Sequence, residues 1–162
     1  MSFIRIKKIA GKEYAYLVEN KWYKRGFKNK GKGSRQKVSK YLGRVYKHDK
    51  VNDQNFYSFK KIDNLEKYLK NNDKSRIFND LVEWELFRHN VNKEEFIIDF
   101  KNKKVLKNKK NVSLQMNEGF LSSFTLQRLF TLTSQDSYYL AKCILEAGIQ
   151  IPQEVFVGVF GK

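Results

Sequence analysis

The 162-residue chain has one proline, one cysteine, two histidines and no long apolar run. Each scarcity removes a class of explanation. A lone cysteine, Cys143, can form neither an intramolecular disulfide nor a cysteine-type zinc site, which fits a reducing compartment. His48 and His89 lie far apart and neither has a partner at ligand spacing, so no histidine metal site and no His-based acid/base pair is indicated. The longest apolar stretch, Val155 to Phe160, falls well short of the roughly 20 residues that cross a bilayer. Ile4, Ile6 and Ile9 are interleaved with basic residues instead of forming a signal-peptide core. The expectation is a soluble, cytoplasmic protein without membrane contact, and no cofactor or metal is expected.

Acidic residues are scarce in one place. The whole chain has 33 Lys and Arg against 17 Asp and Glu, a formal charge of +16. Residues 1–48 contain fifteen of the basic residues and only two acids, Glu13 and Glu19, which gives +13 there and +3 for the rest. Like charges packed so densely repel one another in a compact state, so a polyanion that neutralises them is the natural partner, nucleic acid first. A solvated basic face kept for solubility is the plain rival, but the concentration of charge in one segment argues against it. A fully disordered chain is excluded by an aromatic content of 15%.

The pattern along the chain predicts an α+β fold. Alternation from Phe3 to Lys8 and the run Tyr14-Ala15-Tyr16-Leu17-Val18 read as two strands meeting near Gly11-Lys12. Trp22-Tyr23 leads into Gly26-Phe27-Lys28-Asn29-Lys30-Gly31-Lys32-Gly33-Ser34, a loop with an exposed tip. Gln36, Val38, Tyr41, Leu42 and Val45 suggest a returning strand ending around Gly43-Arg44. Residues 1–48 are thus expected to be a small antiparallel β-sheet arm with a basic loop, and 49–58 a polar linker. Residues 59–162 are expected to form a body of mixed helices and a β-hairpin. Within it, Ile62, Leu65, Tyr68 and Leu69, then Ile77, Leu81, Trp84 and Phe87, predict two helices. Phe96–Phe100 and Val105-Leu106 predict a hairpin about Lys101–Lys104, and Val112–Met116 a third short strand. Asn117 and Ser134 are candidate helix caps, Gly148 a helix end, and Pro152 the opening of a last helix with Val155, Phe156, Val159 and Phe160 on its surface.

The arm interleaves Tyr14, Tyr16, Trp22, Tyr23, Phe27, Tyr41 and Tyr46 with Lys and Arg, supplying cations for phosphates and flat rings for bases. Most of these rings are expected to pack against neighbours, with Trp22, Tyr23 and Phe27, nearest the loop, as the exceptions. The candidate nucleic-acid-binding residues are Trp22, Tyr23, Lys24, Arg25, Phe27, Lys28, Lys30, Lys32, Arg35, Lys37, Lys40 and Arg44. Structured RNA, ribosomal RNA included, is favoured over DNA because a basic loop with aromatic shoulders suits irregular shapes.

Tyr16-Leu17-Val18-Glu19-Asn20 followed by Ser34-Arg35-Gln36-Lys37-Val38-Ser39-Lys40-Tyr41-Leu42-Gly43-Arg44 resembles the β-rich leader that precedes the catalytic domain in some insertion-sequence transposases. The resemblance spans about 45 of the 162 residues. It implies DNA contact through Arg35, Lys37 and Lys40 without the strand-transfer chemistry, because the remaining chain is too short for that catalytic domain and shows no convincing acidic triad. The chain as a whole resembles small basic archaeal proteins of unassigned function.

Three other readings are weaker. Gly26-x-x-x-x-Gly31-Lys32 has most of a phosphate-loop pattern, but Gly33 stands where Ser or Thr would hold magnesium, and no buried strand precedes it. Ile97-Ile98-Asp99-Phe100-Lys101 has the form of half a metal-dependent nuclease site, with Asp99 to hold the ion, Lys101 to steady the transition state, and Glu95 or Glu118 as a second carboxylate. That makes a divalent-metal nuclease, or a transposase-related DNA-binding accessory protein, the alternative function. A third is an assembly module whose Val155, Phe156, Val159 and Phe160 dock on a partner or on a second copy. His89 is expected to end a helix, and Cys143 to pack in a core.

Overall fold

The computed structural model describes residues 2–24, 33–131 and 137–161. Strands β1 (Ser2–Ile9), β2 (Lys12–Tyr23) and β3 (Gly33–Lys47) come first. Helices α1 (Phe56–Lys60), α2 (Leu65–Asn71) and α3 (Lys74–Arg88) follow. Strands β4 (Ile97–Asp99), β5 (Lys104–Lys107), β6 (Lys110–Met116) and β7 (Gly119–Leu121) lead into helices α4 (Ser123–Thr131), α5 (Ser137–Glu146) and α6 (Gln153–Phe160). The fold is α+β: one sheet in the order β1-β2-β3-β6-β5-β4, with β7 paired to β6. All strand pairings are antiparallel except β3 with β6.

β1 and β2 are joined by Ala10 (φ +50°) and Gly11 (φ +76°). Positive φ at both central residues is what a two-residue hairpin turn needs to match strand twist, and glycine adopts it without steric cost. The expected strand meeting at Gly11-Lys12 is therefore present. β3 runs on past the expected end at Gly43-Arg44, because Arg44–Lys47 pair in parallel with Val112–Gln115. Gly43 sits at this seam: a Cβ there would lie 2.3 Å from the Asn111 carbonyl oxygen, and its φ is +103°. Only a residue lacking a side chain lets β3 and β6 come this close. The basic strands thus share one sheet with the body.

The parallel seam also separates two apolar clusters. Val45 pairs with Ser113, and Arg44 and Tyr46 with Val112 and Leu114. Side chains alternate across a sheet. Ala15, Leu17, Leu42 and Val45 form a small cluster on one face, with Ile4, Ile6, Phe120 and Phe124 packed on it. Val112, Leu114 and Met116 lie in the large cluster on the other, with α3 residues Ile77, Leu81 and Trp84 and α5 residues Leu140 and Ile144.

Several sequence expectations are corrected. Three helices, not two, precede β4, and their starts are set by side chains: Asn55, Asn64 and Asp73 accept from the amides of Ser58, Lys67 and Arg76. Within the segment 49–58, the Val51 and Asn52 amides bond the Arg88 carbonyl, Trp84 donates to the Gln54 carbonyl, and Phe56 is fully buried. Asn117 caps no helix. It stands in the β6–β7 turn with φ +52°, donating to Glu85 and to the Gly148 carbonyl. The α4 cap is Ser122, which exchanges bonds with Thr125 in both directions. Phe120 and Leu121 belong to β7. The α6 face is not free either. Val155 is fully buried, Phe156 and Val159 pack on the large cluster, and Phe160 stacks on Phe78. A helix this apolar is covered because α2 and α3 offer Leu69 and Phe78 to it, which local periodicity does not reveal. Gly148 does follow α5 with φ +73°, as expected. Ser134 lies outside the described residues.

Candidate nucleic-acid interface

β2 is the centre of the arm, and its pairing decides which face each functional side chain occupies. Against β1 the register is regular, with Arg5 opposite Tyr16 and Lys7 opposite Tyr14. Against β3 it shifts twice, between Ala15 and Tyr16 and between Leu17 and Val18. β3 gains one residue at each shift, Leu42 and Ser39, and Ser39 turns its hydroxyl to donate to the Leu17 carbonyl. A bulge of one residue reverses the parity of everything beyond it.

The bulges sort the basic residues into two sets. Arg35, Lys37 and Lys40 stand opposite Lys21, Glu19 and Leu17, on the face of the small cluster. Lys40 lies 5.8 Å from the centre of the Phe124 ring, and Arg35 lies 5.3 Å from that of Tyr23. Arg44 stands opposite Tyr14 and Tyr41 opposite Tyr16, on the other face with Arg5 and Lys7. Tyr41 lies 5.3 Å from Tyr16 and 6.4 Å from Tyr14, ring centre to ring centre, and the Lys7 ammonium is 5.1 Å from the Tyr16 ring. Arg5 reaches across β2 to donate to Gln36 on β3. Partial burial and the neighbouring phenols Tyr16 and Tyr14 raise the Tyr41 pKa, so its hydroxyl keeps its proton at neutral pH.

β1 ends its pairing at Ser2 opposite Glu19. Beyond that point, Asn20–Tyr23 and Gly33–Gln36 continue as a two-stranded ribbon roughly 10 Å long. Trp22 is 64% exposed there and Tyr23 43%, as large rings are when the fold has no use for them. Lys24 is exposed at the end of β2. The other expected contacts, Arg25, Phe27, Lys28, Lys30 and Lys32, lie outside the described residues.

Among the described residues, every ion pair within 4 Å falls between Lys50 and Glu146. Arg5, Lys7, Lys21, Lys37, Lys40 and Arg44 therefore have no carboxylate partner among them. Sequence reasoning named the cations on β3 but left Arg5 and Lys7 out of the site. Their signal was the alternation of β1, which puts both on the face of Tyr14 and Tyr16 once β1 pairs with β2.

Two carboxylates of the nuclease alternative, Asp99 and Glu95, are used locally. Asp99 accepts from the Asn102 amide at 3.0 Å and from the Asn102 side chain at 2.7 Å. Those bonds hold its carboxyl below the usual range. Glu95 pairs with Lys107. No group of three or more His, Cys, Asp or Glu that could hold a metal ion occurs among the described residues. Cys143 is buried in α5, and burial pushes its thiol pKa up, away from nucleophile character. His89 does end α3, where it is 3% exposed, with Nδ1 2.9 Å from the Glu85 carbonyl.

An apolar hollow of about 640 Å³ opens between Phe56, Trp84, Ile144, Ile149 and Phe156, and no Asp, Glu, His, Lys or Arg lines it. No helix among the described residues is long and apolar enough to cross a membrane. Compared with protein-family models, curated proteins and solved structures, the chain matches none.

Proposed function

We propose that this is a non-catalytic nucleic-acid-binding protein whose basic β-arm contacts structured RNA in preference to DNA. The observation that supports the reading is that Arg5, Lys7, Lys21, Lys37, Lys40 and Arg44 have no carboxylate within 4 Å among the described residues. A charge density of this kind disfavours the compact state unless a polyanion neutralises it, and every ion pair within 4 Å among the described residues lies outside the arm. The ribbon brings Lys21, Trp22, Tyr23, Lys24, Arg35 and Lys37 together at one end, leading into the segment of Arg25, Phe27, Lys28, Lys30 and Lys32. Cations beside exposed rings serve phosphate and base contacts at once. The resemblance to transposase leaders makes duplex DNA the competing ligand.

Fluorescence anisotropy with labelled single-stranded and duplex RNA and DNA, each across a salt series, tests the proposal. The expected result is tighter binding to RNA, selectivity that survives at about 150 mM salt, and affinity that falls steeply with salt. Replacing Lys28, Lys30, Lys32 and Arg35 together by Ala should weaken binding by several kcal/mol, at about 1 kcal/mol or more per charge-assisted contact. Equal, weak binding to all four probes that vanishes at that salt would reduce the arm to a sticky surface.

A further inference from the structure

The two faces of the arm are not equivalent. On the face of the small cluster, Phe120 and Phe124 cover Ala15, Leu17 and Leu42. On the opposite face the large cluster reaches Tyr46, whose ring meets Phe96 at 5.2 Å and Lys107 at 4.4 Å. There the large cluster ends, and farther along this face only Val18 is buried, at 1% exposed. The same face continues over β3, β2 and β1 as Arg44, Tyr41, Tyr16, Tyr14, Lys7 and Arg5. Tyr41, in the middle, is 52% exposed.

Three phenol rings on a sheet face, ringed by cations, are a poor arrangement for a solubilising surface. Lys and Glu would serve that purpose without exposing aromatic area. They suit planar groups carried on a polyanion. Unpaired bases can lie flat on such rings, while base-paired ones keep their faces inside the helix stack. Lys7, 5.1 Å from the centre of the Tyr16 ring, and Arg44 flank the rings on the same face. Arg44 lies 5.0 Å from the Tyr46 ring and has no carboxylate within 4 Å among the described residues.

We infer that the Tyr14–Tyr16–Tyr41 face is a platform for unpaired nucleotides of RNA, distinct from the ribbon, with Lys7, Arg5 and Arg44 holding the phosphates. The inference rests on the nucleic-acid reading above and deepens it, because it assigns single-stranded segments to one face. A structured RNA with a loop or a frayed end beside a helix would then engage platform and ribbon together.

The test compares Tyr41→Ala and Tyr41→Phe with the parent protein on a 12-nucleotide oligouridine and on a blunt RNA duplex. Thermal midpoints of all three proteins provide the folding control. Tyr41→Ala should bind the oligouridine about tenfold or more weakly and the duplex within twofold, and Tyr41→Phe should match the parent on both. An oligouridine containing 5-iodouridine, irradiated with the unaltered protein, should crosslink to Tyr41, Tyr16 or Tyr14. Equal losses on both probes, unchanged oligouridine affinity, or crosslinks only to the ribbon would overturn the platform. In that case duplex binding by the parent would leave the broader reading standing. A parent that binds neither probe would sink both.

Discussion

The arm and the body treat charge in opposite ways. In the body, Asp80 is 2% exposed and held by Tyr68 at 2.7 Å and Lys60 at 2.9 Å, with Arg76 at 3.5 Å. Glu85 is fully buried and accepts from Arg88, the Gln150 amide and Asn117. Arg88 in turn donates to Gln150 and lies 4.4 Å from the Trp84 ring. In the arm, Arg5, Lys7, Lys21, Lys37, Lys40 and Arg44 have no carboxylate within 4 Å among the described residues. Charges in the body hold α3 to its neighbours, so removing one costs stability. Those in the arm have no carboxylate within 4 Å among the described residues, and removing one should cost more in binding than in stability.

Four experiments can break or sharpen that contrast. The largest effect is expected at Glu85. Glu85→Ala leaves the buried Arg88 charge uncompensated and takes an acceptor from Arg88, Asn117 and the Gln150 amide, and urea unfolding should show a loss of about 3–5 kcal/mol. A loss below 1 kcal/mol would mean that the network is not structural. Next comes the seam that joins the two regions. Gly43→Ala combines a positive φ with a Cβ driven into the Asn111 carbonyl, and should lower stability by about 3 kcal/mol. Thermal denaturation reads this out, and a near-neutral result would show that β3 and β6 can part to admit a methyl group.

A matched pair of lysines tests the contrast directly. Lys60→Met removes a cation from buried Asp80 and should cost about 1–2 kcal/mol of stability, since Tyr68 and Arg76 remain. Lys21→Met, on the ribbon, should stay within about 0.5 kcal/mol while weakening RNA binding and flattening its salt dependence. Comparable stability losses at the two sites would end the distinction. The smallest effect concerns pH. Burial, with Phe96 edge-on at 5.2 Å, lowers the His48 pKa from its ordinary 6.5. As pH falls, the unfolded chain takes up this proton before the folded one. The contribution of His48 is therefore whole above about pH 6.5 and is lost as pH drops through the folded value. His48→Phe should flatten the stability curve in that window, and an unchanged curve would assign the titration elsewhere.

Much of the arm was legible because its signals are local. Alternation, the positive-φ turn at Ala10-Gly11 and the count of basic residues are all read within a few positions. The β4–β5 hairpin around Asp99–Lys104 was legible for the same reason. Where two faces compete, local reading fails. Val38, Tyr41 and Arg44 are spaced by three, which no unbroken strand puts on one side, and the extra residues Ser39 and Leu42 align them. Neither bulge has a sequence mark beyond Gly43. Asn117 has the composition of a cap and is used instead to tie the β6–β7 turn to Glu85, 32 residues away.

The sequence by itself determined that charge is segregated and that the arm is β-structured, because these follow from composition and from periods of two residues. Tertiary structure alone decided which rings stay exposed. The parallel β3–β6 pairing fixes where the large cluster stops, at Tyr46, and the bulges fix which side chains share the open face beyond it. The first depends on contacts between segments about 70 residues apart and the second on contacts about 20 to 30 apart, and burial is a property of such contacts rather than of any stretch of chain.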